Sequence, residues 1–147
     1  MSTSISPFAK ILVPLDQSEN ATRALEYASK LAKLAESEIT LLCVVNTISY
    51  TAESYVSASQ LEDLLEESAR NYLEDLVKRT EKEHGMKLKT MVKRGQPVSV
   101  IIDTAQKEHM DLIVMGSRGL GGFKEMLFGS VSHGVTSHAN IPVMIVK

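Results

Sequence analysis

The 147-residue sequence has no tryptophan, a single cysteine and four prolines, and only 5% of it is aromatic. The lone cysteine, Cys43, excludes an internal disulfide and suits a reducing compartment. No apolar run approaches the roughly 20 residues of a membrane span. The stretch from Met1 to Pro7 is polar and lacks the apolar core of a signal peptide, so the sequence predicts a cytoplasmic protein with no membrane insertion. An excess of charge is missing as well. Sixteen basic and eighteen acidic side chains give a formal net charge of -2, which offers no general attraction to nucleic acid. Any anion site must therefore be local. The four histidines, His84, His109, His133 and His138, form no Cys/His cluster. His133 and His138 are five apart, not the four that would stack two ligands on a helix face, so a structural metal is not expected.

What is present is ordinary for a soluble globular domain: 44% hydrophobic and 23% charged residues. The length predicts one domain over residues 1–147, with 1–8 as a loosely ordered lead. Strands and helices then alternate. Ala9–Asp16 reads as a first strand, with Pro14 tolerable near its end. Ser18 offers an N-cap for a helix over about Asn20–Ala35. Ile39–Val45 is apolar throughout, as a strand covered on both faces should be, and it places Cys43 as a small packed residue rather than a nucleophile. Asn46–Ser57 has no pattern and predicts a mobile loop. A long helix follows over about Ser59–His84, with Ser59 and Glu62 spaced as a capping box and Gly85 as its terminator. Met86–Lys93 alternates as a half-exposed edge strand, its lysines discouraging edge pairing. Pro97 suits the first turn of a helix over about Val98–His109. Asp111–Met115 is a buried strand, and Pro142–Val146 is a final one. This alternation predicts an α/β domain with a parallel sheet and helices on both faces.

Between the fourth strand and the last short helix lie five glycines, at 116, 119, 121, 122 and 129. Gly116-Ser117-Arg118-Gly119 is followed by nine residues and then Gly129-Ser130. A strand, a glycine-bearing loop and a helix N-terminus together bind phosphate: glycines admit an anion close to main-chain amides, and the helix start adds unpaired N–H groups and the positive dipole end. Arg118 adds a fixed charge, and the Ser130 and Ser132 hydroxyls add donors. The plain alternative, glycines serving tight turns, leaves their concentration here unused. No lysine precedes Ser117 or Ser130, so this is not a Walker A loop. The two-residue gap between Gly116 and Gly119 differs from the dinucleotide fingerprint. In a parallel sheet, ligands bind beyond the carboxyl ends of strands where the order reverses. Asp16 then faces the glycine loop if the first and fourth strands are neighbours. Its simpler role is a helix-start residue sharing the cap with Ser18.

The Gly-x2-Gly-x9-Gly-Ser spacing, the opening Ile11–Asp16 and the closing Ile141–Val146 resemble the universal stress protein family, specifically its ATP-binding branch. The resemblance spans Ala9 to Lys147. It implies a Rossmann-like open five-stranded parallel sheet of order 3-2-1-4-5. It also implies that Pro14, Leu15 and Asp16 line the nucleoside, with Asp16 near the ribose or near a Mg or Mn ion carried by the phosphates. The main chain of Val44 would read the adenine edge. Gly116, Arg118, Gly119, Gly129, Ser130, Val131 and Ser132 would surround the phosphates. The last strand, Val143–Val146, would pair with its two-fold mate in a homodimer, which also closes an open apolar edge. Many relatives carry glycine after the first-strand aspartate; Gln17 stands there instead, and its larger side chain could narrow the nucleoside pocket, though it need not touch the ligand.

The function implied is an ATP-binding regulatory module of the stress response, acting on an unidentified protein partner, with little or slow hydrolysis. Two alternatives remain open: a weak ATPase or phosphotransferase, and a scaffold that binds AMP or cyclic AMP. Hydrolysis needs a base, a positioned water and a charge stabiliser. Arg118 and Lys124 could stabilise charge and Glu125 could orient water, but none has an evident partner to fix it. Ser130 and Ser132 have only His133 as a nearby base, and adjacent helical residues point in different directions.

Overall fold

The computed structural model describes residues 6–46, 58–118 and 129–147. Their elements run β1 (Lys10–Pro14), α1 (Glu19–Ala35), β2 (Glu38–Asn46), α2 (Ala58–His84), β3 (Leu88–Gly95), α3 (Pro97–Lys107), β4 (Leu112–Gly116), α4 (Ser130–His138) and β5 (Val143–Val146). The five strands form one parallel sheet in the order β3-β2-β1-β4-β5, as the resemblance implied. The chain steps outward from β1 to β3, then crosses back over β1 to reach β4. Right-handed crossovers therefore place α1 and α2 on one face and α3 and α4 on the other.

Each face has its own core. Ile11, Val13, Ile39 and Leu41 point toward the buried residues of α1 and α2, and Phe8 packs against the same cluster. Leu12, Leu42, Ile113 and Met115 point toward Ile101 and Ala105 of α3 and Val135 of α4. The period-2 alternation divides each central strand between the two cores, which is why those strands carry no polar face.

Local signals set most boundaries. Ser18 Oγ accepts from the Ala21 N–H at 3.1 Å and caps α1. The Gly85 N–H donates to Glu81 O at 2.8 Å, with φ at +65, and closes α2. Three expectations need correction. Helix α2 starts at Ala58, so Ser59 lies inside the first turn, not before it. Glu62 is engaged instead by Arg94 of β3 at 3.3 Å, alongside Glu66 at 2.6 Å. Helix α3 stops at Lys107, and His109 takes a left-handed φ of 53 that ends it two residues early. Strand β3 is an edge strand as expected, but its second side is not uniformly solvated: Met91 packs into the α3 core, and Lys93 Nζ donates to the buried Thr104 Oγ1 at 2.9 Å. The Asn46–Ser57 loop falls, beyond Asn46, outside the described residues.

Gly134 marks a close approach. A Cβ there would lie 2.7 Å from Val98 Cγ2, so α4 rests directly on the first turn of α3.

Candidate functional site

A pocket of about 240 Å³ opens where the sheet order reverses, beyond the carboxyl ends of β1, β2 and β4. Its volume falls slightly below the roughly 300–1,000 Å³ usual for small-molecule clefts. One wall is polar and made largely of main chain. Gly116, Arg118, Gly129, Ser130, Val131 and Ser132 line it. The first helical bond of α4 runs from His133 N–H to Gly129 O at 3.0 Å. The amides of Ser130, Val131 and Ser132 therefore open the helix without an intrahelical acceptor, and the positive end of the helix dipole lies with them. Gly116 is small for a second reason: a Cβ would meet Asn20 of α1 at 2.7 Å and its backbone carbon at 2.8 Å. The Asn20 side-chain amide in turn donates to Arg118 O at 3.3 Å, tying α1 to the segment after β4.

The opposite wall is apolar. Pro14 and Leu15 come from the end of β1, Leu42 and Val44 from β2, and Pro97 and Ile101 from α3. Pairing between β1 and β2 ends with Pro14 opposite Leu42, and Leu42 O accepts the last bond, from Leu15 N–H at 2.8 Å. Main-chain groups of alternate strand residues point to the same side. The N–H and C=O of Val44 thus face the β1 side just past the point where β1 stops, and so toward the pocket. Fold and pocket together mark the chain as a doubly wound domain with an anion-ready helix start.

A model of the universal stress protein family matches residues 7–147. The chain belongs to the universal stress protein family. The universal stress protein YxiE of Bacillus subtilis (strain 168) is 37% identical over 147 residues, covering 95% of this chain and 99% of that protein. Among solved structures, the universal stress protein UspA from Lactobacillus plantarum superposes with a TM-score of 0.87 at 27% identity, over 95% of this chain and 98% of that one. A universal stress protein from Archaeoglobus fulgidus, solved in complex with dAMP, has the same fold at a TM-score of 0.70 and 24% identity, over 95% and 98% of the two chains.

Of the residues that the family resemblance pointed to, all except Gly119 line the pocket; Gly119 lies outside the described residues, with Lys124 and Glu125. Asp16 lines it while its Oδ1 accepts from the Ser18 N–H at 3.0 Å, so a place on the pocket wall is compatible with its place at the helix start. Ser132 departs from expectation. Its hydroxyl is directed to Ser117 O at 2.7 Å and Gly129 O at 3.0 Å, so its one proton serves the main chain and not the pocket. Gln17 departs too: it is exposed and does not line the pocket. Its backbone takes a left-handed φ of 69, a conformation that glycine adopts without steric cost.

The sequence reading missed Ser18, Ala21, Leu42, Pro97, Ile101 and Met115 as lining residues. From the residues alone each belongs only to a cap, a helix or a strand. The available signal was topological: α1 and α3 both start at the carboxyl edge of the sheet, so their first turns border any crevice there. Cys43 is buried on the other face. Burial, and secondarily the Asp16 carboxylate, push its thiol up to about 12, which fits a packed residue and not a nucleophile. Among the described residues no group of three His, Cys, Asp or Glu is placed to hold a metal ion, and no helix is long and apolar enough to cross a membrane.

Proposed function

We propose that this pocket binds an adenine nucleotide, ATP in the first place, and that the protein is a nucleotide-dependent regulatory module of the ATP-binding branch with little or slow hydrolysis. The observation that carries the reading is the placement of the Ser130–Ser132 amides across one cavity from the main chain of Val44. The helix start suits a phosphate chain. The Val44 amide and carbonyl offer a donor and an acceptor to a base edge, and Leu42, Pro97 and Ile101 supply the apolar surface a purine ring needs. Arg118 adds positive charge to the phosphate side. Asp16 stands near the ribose side, or near a Mg²⁺ or Mn²⁺ ion that the triphosphate brings with it and that keeps most of its waters.

Occupancy would act by favouring the state in which these contacts are made. The outer strand β5, with Met144 39% exposed, would pair with a second copy to form a homodimer, and an unidentified protein partner would read the liganded state in the cytoplasm. A monophosphate or cyclic AMP is the second reading, prompted by the dAMP found in the Archaeoglobus fulgidus protein of the same fold.

Calorimetry with ATP, AMP, cyclic AMP and adenosine, followed by a turnover assay with Mg²⁺, tests the proposal. Tightest binding of ATP with nucleotide surviving intact for hours supports the switch. Preference for AMP or cyclic AMP moves the assignment to the scaffold. Sustained turnover abolished by Gly129→Val makes the protein an enzyme. No affinity for any adenylate ends the nucleotide reading.

A further inference from the structure

Ser117 is 2% exposed although it sits in the polar segment just past β4. Its N–H donates to Val146 O at 2.9 Å, continuing the β4–β5 ladder beyond Gly116. Its carbonyl accepts from the Gly129 N–H at 2.6 Å and from Ser132 Oγ at 2.7 Å. One residue, through the two peptide groups that flank it, thus joins the end of β5, the residue before α4 and the first turn of α4. Ser132, also 2% exposed, is the side chain that closes this junction, and its Oγ lies 3.0 Å from Gly129 O as well.

A carbonyl held by two donors fixes direction better than one held by a single donor, because the second bond removes rotation about the first. Gly129 has no side chain with which to cap α4 and makes no side-chain cap bond. The helix start is therefore held at the Ser117 carbonyl from two points, the Gly129 N–H before the helix and the Ser132 hydroxyl within it. Main-chain amides bind an anion only when they converge at about 2.7–3.2 Å, so a small rotation of the first turn disperses them.

We propose that Ser132 is a positioning residue: through the Ser117 carbonyl it aims the amides of Ser130, Val131 and Ser132, and it supports the phosphate part of a nucleotide and not the nucleoside part. The inference rests on reading the pocket as a nucleotide site, but it has a readout that does not. Ser132→Ala should bind ATP about tenfold more weakly, the scale of one lost charge-assisted contact, while adenosine affinity changes less than about twofold. In the ligand-free protein the same variant should exchange the Ser117 and Gly129 amides faster, with the amides of β1 and β2 unchanged. Ser132→Thr, which keeps the hydroxyl, should keep both amides protected. Equal weakening of ATP and adenosine, or unchanged ATP affinity, overturns the proposal. If wild-type protein binds no adenylate, the nucleotide reading falls, and amide exchange alone decides the role of Ser132: unchanged protection in Ser132→Ala refutes it.

Discussion

The apolar wall of the pocket and its polar wall face each other across about 240 Å³ and are made in opposite ways. Leu42, Val44, Pro97 and Ile101 work through side-chain volume, so their effect is graded: a smaller residue leaves a gap, and neighbours relax into part of it. Gly116, Gly129 and the opening of α4 work through where the main chain runs. At Gly116 a side chain is an obstacle, because its Cβ would meet Asn20 at 2.7 Å, and its effect has a threshold. The first wall loses stability in proportion to the volume removed, whereas at Gly116 the second is disturbed by a single added atom.

The severest break of that contrast is expected on the apolar side. Ile101 is 2% exposed and belongs to both core and pocket, so Ile101→Ala should cost about 3 kcal/mol in urea unfolding and weaken adenosine binding. A cost under about 1 kcal/mol would mean that the wall collapses to fill the space. Next in size is Gly116→Ala. Its Cβ meets the Asn20 backbone at 2.8 Å, and overpacking of this kind costs about 2 kcal/mol. Because Asn20 also holds Arg118 O, triphosphate affinity should fall more than adenosine affinity. An unchanged melting temperature would show that α1 moves aside freely.

A third test uses Cys43, which lies between Leu42 and Val44 but faces the other core. With the thiol raised from 9.0 to about 12, the neutral form is favoured in the folded state. Its contribution to stability is present below pH 9 and lost as the pH rises toward 12. At pH 8 a thiol reagent should react with folded protein at least about 100-fold more slowly than with protein unfolded in urea. Rapid labelling of the native state would show that the strand behind the apolar wall opens. The smallest effect is expected for Gln17→Gly. Relief of the left-handed φ of 69 is offset by the freer unfolded chain, so stability should change by about 0.5 kcal/mol or less. Nucleotide affinity should not change, because Gln17 does not line the pocket. A clear gain in affinity would restore the view that its side chain narrows the site.

The two walls also differed in how far they could be read from residues alone. Apolar runs gave the strands away, and the alternation of elements implied a parallel sheet; its order came from the family resemblance, carried by Gly116–Gly119 and Gly129–Ser130. Pro97 and Ile101 were recognised as helical but not as wall, because contact across the sheet depends on which element ends beside which. Ser132 lines the pocket, but the residues alone do not show that its hydroxyl is directed to the main chain. Where a hydroxyl proton goes is decided by the carbonyls within reach, and Ser117 is fifteen residues earlier in the chain. The start of α2 is legible to within a residue, but the capping box is not formed, because Ser59 lies inside the first turn and Glu62 pairs with Arg94.

The contact between Gly134 and Val98 joins the two walls just behind the cavity. Val98 follows Pro97 at the head of one wall, and Gly134 lies one turn inside the helix that begins the other. The gauge of the slot between them is set by the thickness of a single residue. A methyl group at 134 would act as a shim, prying the jaws apart at their root without touching anything that lies between them.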